Sequence, residues 1–118
     1  MKELCVLMAT FNDAEYLPSA VESILSQTYS NFEFIIVDDG STDSTPGILR
    51  MYAARDSRIR VITNHVNVGL AASLNTGLAK TDADYVARMD ADDIALPQRL
   101  EMQLKHLESF PETDILGT

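Results

Sequence analysis

Short apolar runs alternate with helical stretches along the whole chain, and this alternation narrows the folds open to it more than any other feature. Residues 4–9 are almost continuously apolar, the pattern of a strand buried on both faces. Similar runs recur at 32–37, around 60–62 and at 84–89, and another begins at Asp114. Between them, helical spacing places Leu17, Val21, Ile24 and Leu25 on one stripe, and Ile48, Leu49, Tyr52 and Ala53 on another. A small-residue helix is expected over 70–79, and a helix over 97–109 with Leu100, Leu104 and Leu107 in register. Asn12 or Asp13 is suited to capping the first helix, and Thr45 to capping the second with Pro46 at its first position. Strands alternating with helices in this way predict an α/β fold, a mainly parallel sheet with helices on both faces.

At 118 residues the chain makes one domain at most, with 46% hydrophobic residues to build a core. It has no apolar run near the roughly 20 residues that span a bilayer. Cys5, the single cysteine, lies in an apolar run, which suits a buried thiol rather than a nucleophile. These features favour the cytoplasm, with association at a membrane face left open. Eighteen acidic side chains against nine basic ones give a net charge of −9, which argues against a nucleic-acid partner.

The acidic residues are not evenly spread. Asp90-Ala91-Asp92-Asp93 follows one strand-like run and Asp38-Asp39 follows another. Carboxylates crowded at a strand end repel one another, and a hard divalent cation relieves that repulsion. Taken alone, Asp90-Ala91-Asp92 suits a solvated turn with Asp92 or Asp93 capping the next helix equally well. Two such groups at carboxyl ends of strands, the edge where open α/β sheets bind ligands, point to a metal-assisted phosphate or nucleotide site. Arg88, just ahead of the acidic run, is placed to pair with a nearby aspartate. Tyr16, Phe32, Phe34 and Tyr52 are expected in the core, and Glu101 and Glu108 on a solvated helix face.

A series of short motifs then carries a resemblance. Ala9-Thr10-Phe11-Asn12 follows the first strand, and Ser26-Gln27-Thr28-Tyr29 and Asn31-Phe32-Glu33 follow the first helix. Val37-Asp38-Asp39-Gly40-Ser41-Thr42-Asp43, Asn67-Val68-Gly69 with Asn75, and Met89-Asp90-Ala91-Asp92-Asp93 with Pro97-Gln98-Arg99-Leu100 complete the series. In order and spacing the chain resembles the nucleotide-binding half of family 2 glycosyltransferases over essentially all of residues 1–118. The resemblance implies a three-layer, Rossmann-like GT-A architecture and an inverting transferase. Such an enzyme binds a nucleoside-diphosphate sugar, with UDP favoured, through Mn2+ or Mg2+ and transfers the sugar to a hydroxyl acceptor in polysaccharide or glycoconjugate synthesis.

By the same resemblance Thr10 and Asp39 hold the base with Asp38 beside them, and Asn67 and Gly69 contact the nucleotide. Asp92 binds the metal, Asp90 contacts the ribose or a metal-bound water, and Asp93 is a candidate for the donor sugar. Ala9 stands where the family usually has proline. The family's general base is expected beyond Thr118, so the chain reads as a fragment, truncated as its fifth strand begins, that binds donor but does not transfer sugar. Exposed apolar surface and self-association follow from that truncation. Two other readings are a receiver-like phosphoacceptor domain and a nucleotide-binding module without catalysis.

Overall fold

The computed structural model describes residues 4–109 and 115–116. Its elements alternate as β1 (Leu4–Thr10), α1 (Leu17–Leu25), β2 (Phe32–Asp38), α2 (Thr45–Arg55) and β3 (Ile59–Thr63). They continue as α3 (Leu70–Leu78), β4 (Tyr85–Arg88), α4 (Arg99–Ser109) and β5 (Ile115–Leu116). All strand pairs are parallel and the order across the sheet is β3-β2-β1-β4-β5. The expected α/β class is therefore observed. The receiver-like alternative is not, because that class of doubly wound domain orders its strands 2-1-3-4-5.

Strand alternation explains the layers. Leu4, Val6, Met8, Phe32, Phe34 and Ile36 point to one face, where they meet Leu17, Val21 and Ile24 of α1, Leu49 and Tyr52 of α2, and Leu100 of α4. Cys5, Leu7, Ile35 and Val37 point to the other, against Leu74 and Leu78 of α3. Each fully buried side chain of this size contributes about 1.5–3 kcal/mol, so the two central strands carry most of the core. Burial also pushes the Cys5 thiol up to about 12, which keeps it protonated and inert. Among the described residues no helix is long and apolar enough to cross a membrane.

Several local expectations are corrected. Tyr16 is 54% exposed rather than in the core, and it occupies the N-cap of α1 without a capping side chain. Asp13 turns back instead, accepting from the Thr10 hydroxyl at 2.9 Å and the Phe11 N–H at 3.0 Å. Ser44, not Thr45, is the N-cap of α2, so Pro46 falls one place later. α4 starts at Arg99 because residues 97–98 form a turn, so neither Asp92 nor Asp93 caps it. Glu101 is engaged rather than only solvated, by the Thr28 hydroxyl at 2.8 Å and Lys105 at 3.4 Å. The side chains of Leu107 and Glu108, and residues 114 and 117, lie outside the described residues.

Candidate functional site

The chain runs from β1 outward to β3 and then returns to place β4 on the other side of β1. The order reverses between β1 and β4, and parallel sheets leave a ligand crevice at the carboxyl edge of such a reversal. Thr10 lies opposite Asp38 in the register, and Asp38 opposite Thr63. Asp39 and Asp90 follow the ends of β2 and β4 on the two sides of β1. Both acidic groups therefore stand at one edge of one sheet, two strand spacings apart, about 10 Å.

The adjacent aspartates Asp38 and Asp39 do different work. Asp38 is buried at the last position of β2, and its Oδ1 accepts from the Ser41 N–H at 3.1 Å, which tightens the turn after the strand. Asp39 is buried too, and its N–H donates to the Thr10 carbonyl at 2.8 Å. Its Oδ1 accepts from Asn64 Nδ2 at 3.0 Å and the Val68 N–H at 2.8 Å. Its Oδ2 accepts from Asn67 Nδ2 at 3.0 Å and the Gly69 N–H at 2.9 Å. Four donors fill the acceptor positions of one carboxylate. Burial alone raises the Asp39 pKa, but the hydrogen bonds from Val68, Asn64, Gly69 and Ser73 outweigh it and hold the carboxyl below its usual range. Asp39 thus folds the loop between β3 and α3 around itself.

Two glycines serve that loop, Gly69 within it and Gly40 from the loop after β2. Gly69 sits at φ +97°, a conformation other residues rarely adopt, with open space where a Cβ would be. Gly40 sits at φ +76°, and a Cβ there would stand 2.9 Å from both the Asn67 nitrogen and the Val66 carbonyl carbon. Gly40→Ala combines left-handed strain with a backbone clash, so a destabilisation of about 2 kcal/mol or more is expected. Urea unfolding measures it, and a loss below about 0.5 kcal/mol would contradict the described packing. On the other side of the crevice Asn12, at φ +53°, accepts from the Thr42 N–H at 2.8 Å. Its own N–H donates to Ser41 Oγ at 2.9 Å, tying the loop after β1 to the loop after β2.

Between these loops lies a cavity of about 280 Å³ lined by Thr10, Asp13, Asp39, Asn67 and Gly69 together with the apolar Ala9, Phe11 and Leu70. Four of the residues singled out from the sequence, Thr10, Asp39, Asn67 and Gly69, thus share one wall system, while Asp38 does not line it. Asp13 was missed as a lining residue because its side chain is equally suited to a helix cap.

The second group closes on itself. Asp90, Asp92 and Asp93 each offer a carboxylate oxygen within 4.8 Å of the others. Asp90 pairs with Arg88 at 3.2 Å, as the sequence suggested. The Asp93 N–H donates to the Asp90 carbonyl at 3.1 Å, which folds the turn. Arg99 donates to the Arg88 carbonyl at 2.7 Å and carries its charge toward Asp93 and Asp90. Two oxygens bound to one hard cation at 2.0–2.6 Å lie at most about 5 Å apart, so these three carboxylates fit a shared divalent ion. Asp92 is exposed and the Asp90 side chain remains 49% exposed, so both are open to such an ion, while Asp93 is half-buried.

The family model for glycosyl transferase family 2 matches residues 5–118. EpsE of Bacillus subtilis strain 168, which carries a glycosyltransferase name, is 45% identical over 117 residues, 98% of this chain and 42% of that protein. An uncharacterized glycosyltransferase of Haemophilus influenzae is 40% identical over 113 residues, 96% of this chain and 35% of its own length. The chain thus spans less than half the length of these curated relatives. Among solved structures, S. aureus TarS 1-349 in complex with UDP matches with a TM-score of 0.82 at 26% identity, covering 92% of this chain and 32% of that one. The mannosyltransferase PcManGT from Pyrobaculum calidifontis, in complex with GDP-Man and Mn2+, matches with a TM-score of 0.83 at 27% identity, covering 90% and 32%.

Proposed function

The chain belongs to glycosyl transferase family 2, and on that premise we propose that it is the donor-binding portion of an inverting, UDP-sugar-dependent glycosyltransferase acting on a hydroxyl acceptor in polysaccharide or glycoconjugate synthesis. The observation that carries the reading is the common edge. A base-sized cavity after β1 and β2 and a trio of carboxylates after β4 stand at one edge of one sheet, on strands no more than about 10 Å apart, which suits a nucleoside diphosphate.

In this reading the base enters the cavity beside Thr10, Phe11 and Gly69. Its imide N–H takes the place of the Asn67 amide on Asp39 Oδ2, since Asn67 is the one exposed side chain among the four donors. Asp92 and Asp90 hold a divalent ion, Mn2+ or Mg2+, which supplies charge neutralisation for the departing diphosphate. Asp93 faces the donor sugar from the same turn. The general base lies outside residues 1–118, so these residues bind donor without turning it over. Glu101 does not substitute, because Thr28 and Lys105 hold it.

Calorimetric titration with UDP, GDP and CDP, each with and without Mn2+, tests the proposal. UDP is expected to bind tightest, and only the Mn2+ series should show the full affinity. A preference for GDP would overturn the base assignment, and binding indifferent to Mn2+ would overturn the metal assignment.

A further inference from the structure

We propose that Gln27 is a positioning residue for the acidic turn: its buried amide braces the segment that joins Asp93 to α4 and thereby sets how the three carboxylates converge. The inference rests on the reading of that turn as a cation site.

Gln27 follows α1 and is only 5% exposed. Its Nε2 donates to the Ser23 carbonyl at 3.0 Å and to the Leu96 carbonyl at 2.6 Å. Its Oε1 accepts from the Leu100 N–H at 2.9 Å. That N–H lies in the first turn of α4, where no intrahelical partner exists, so Gln27 caps α4 from another element. Two further bonds run alongside: Ala95 N–H to Ser23 Oγ at 3.0 Å, and Thr28 N–H to the Pro97 carbonyl at 2.9 Å.

The braced segment, residues 94–98, buries one side chain, Ala95, and leaves Ile94 70% exposed and Leu96 75% exposed, so hydrogen bonds fix most of its path. The segment begins one residue after Asp93 and ends at Arg99, whose guanidinium reaches back to the Arg88 carbonyl at 2.7 Å. The acidic turn is therefore referenced to α1 through this amide, with the Ser23 and Thr28 bonds alongside it. Only an amide serves, since two N–H donors and an acceptor are all in use. A methionine of similar volume fills the space, removes a donor from the Ser23 and Leu96 carbonyls and leaves the Leu100 N–H unpaired.

The test compares Gln27→Met, Ser23→Ala and, as a control for lost stability, Leu49→Ala on the core face of α2. Mn2+ affinity is measured by electron paramagnetic resonance without nucleotide, UDP affinity without Mn2+, and amide exchange at Ala95 and Leu100 without either. Gln27→Met should weaken Mn2+ binding about tenfold, the scale of lost outer-shell support at metal sites, leave metal-free UDP affinity unchanged and speed exchange at Leu100. Ser23→Ala should move the same readouts in the same direction by less, and it carries the test if Gln27→Met does not fold. Leu49→Ala should lose stability and keep its Mn2+ affinity. Wild-type Mn2+ affinity in the folded variants, or an equal loss in Leu49→Ala, overturns the inference while leaving the cation site standing. A wild-type chain that binds no Mn2+ overturns both.

Discussion

Asp39→Asn should remove about 4 kcal/mol of stability at neutral pH, a large share of what a domain of this size has. The substitution keeps the shape of the side chain, so packing is not at issue. It replaces one of two acceptor oxygens by an NH₂ group that faces donors already in place, the Val68 and Asn64 N–H groups or those of Asn67 and Gly69. Buried donors left without partners cost about 1–3 kcal/mol each, and here the new amide also opposes them. Asp39 is 4% exposed, so water cannot enter to compensate without opening the loop. The pH dependence gives an independent check. The folded pKa of Asp39 is lowered, so its contribution is present above the unfolded value near 4 and is lost as pH falls through the folded pKa. The gap between wild type and Asp39→Asn in urea unfolding should therefore be widest near neutrality and narrow as the pH drops below about 4. A gap that is small at neutral pH, or that widens in acid, would show that the carboxylate is not the centre of the loop.

The contrast between Asp38 and Asp39 also shows what a linear sequence conveys. The strands were legible because a parallel sheet buried on both faces leaves runs such as residues 4–9 apolar throughout, whatever the rest of the fold does. The acidic turn was legible because Asp90, Asp92 and Asp93 are close in sequence and a tight turn needs nothing else to bring them together. Helix starts were misplaced where one side chain suits two jobs. Asp13 has the chemistry of a cap and uses it on Thr10 and Phe11 instead, and Pro97 belongs to a turn although proline also opens helices. Gln27 belongs to the short motif after α1, but nothing local indicates its task. A polar residue after a helix ordinarily meets water, and its partners Leu96 and Leu100 arrive only when the chain returns past β4. The saturation of Asp39 is of the same kind, since its donors come from the loop after β3.

Asp92→Ala should lower the affinity for UDP in the presence of Mn2+ by about 100-fold or more, down to the metal-free value, because loss of a direct ligand matches or exceeds the upper end of the tenfold to 100-fold expected for outer-shell partners. The member of the trio matters. Asp90 is partly neutralised by Arg88 at 3.2 Å, and the charges of Asp90 and Asp93 favour the Arg99 guanidinium, so removing either of those carboxylates also disturbs an arginine. Asp92 is exposed and stands between them, and its removal takes away a ligand with the least disturbance of the turn. Stability should change by no more than about 0.5 kcal/mol, as for other exposed positions. Since removing any aspartate makes the chain less negative and by itself favours an anionic ligand, Asp84→Asn serves as the comparison. Asp84 is exposed just before β4, away from the carboxyl edge, and its loss should leave Mn2+-dependent binding at the wild-type level. Equal behaviour of the two variants would mean that net charge, rather than coordination at the end of β4, governs nucleotide binding, and the donor site would then have to be sought elsewhere on the sheet.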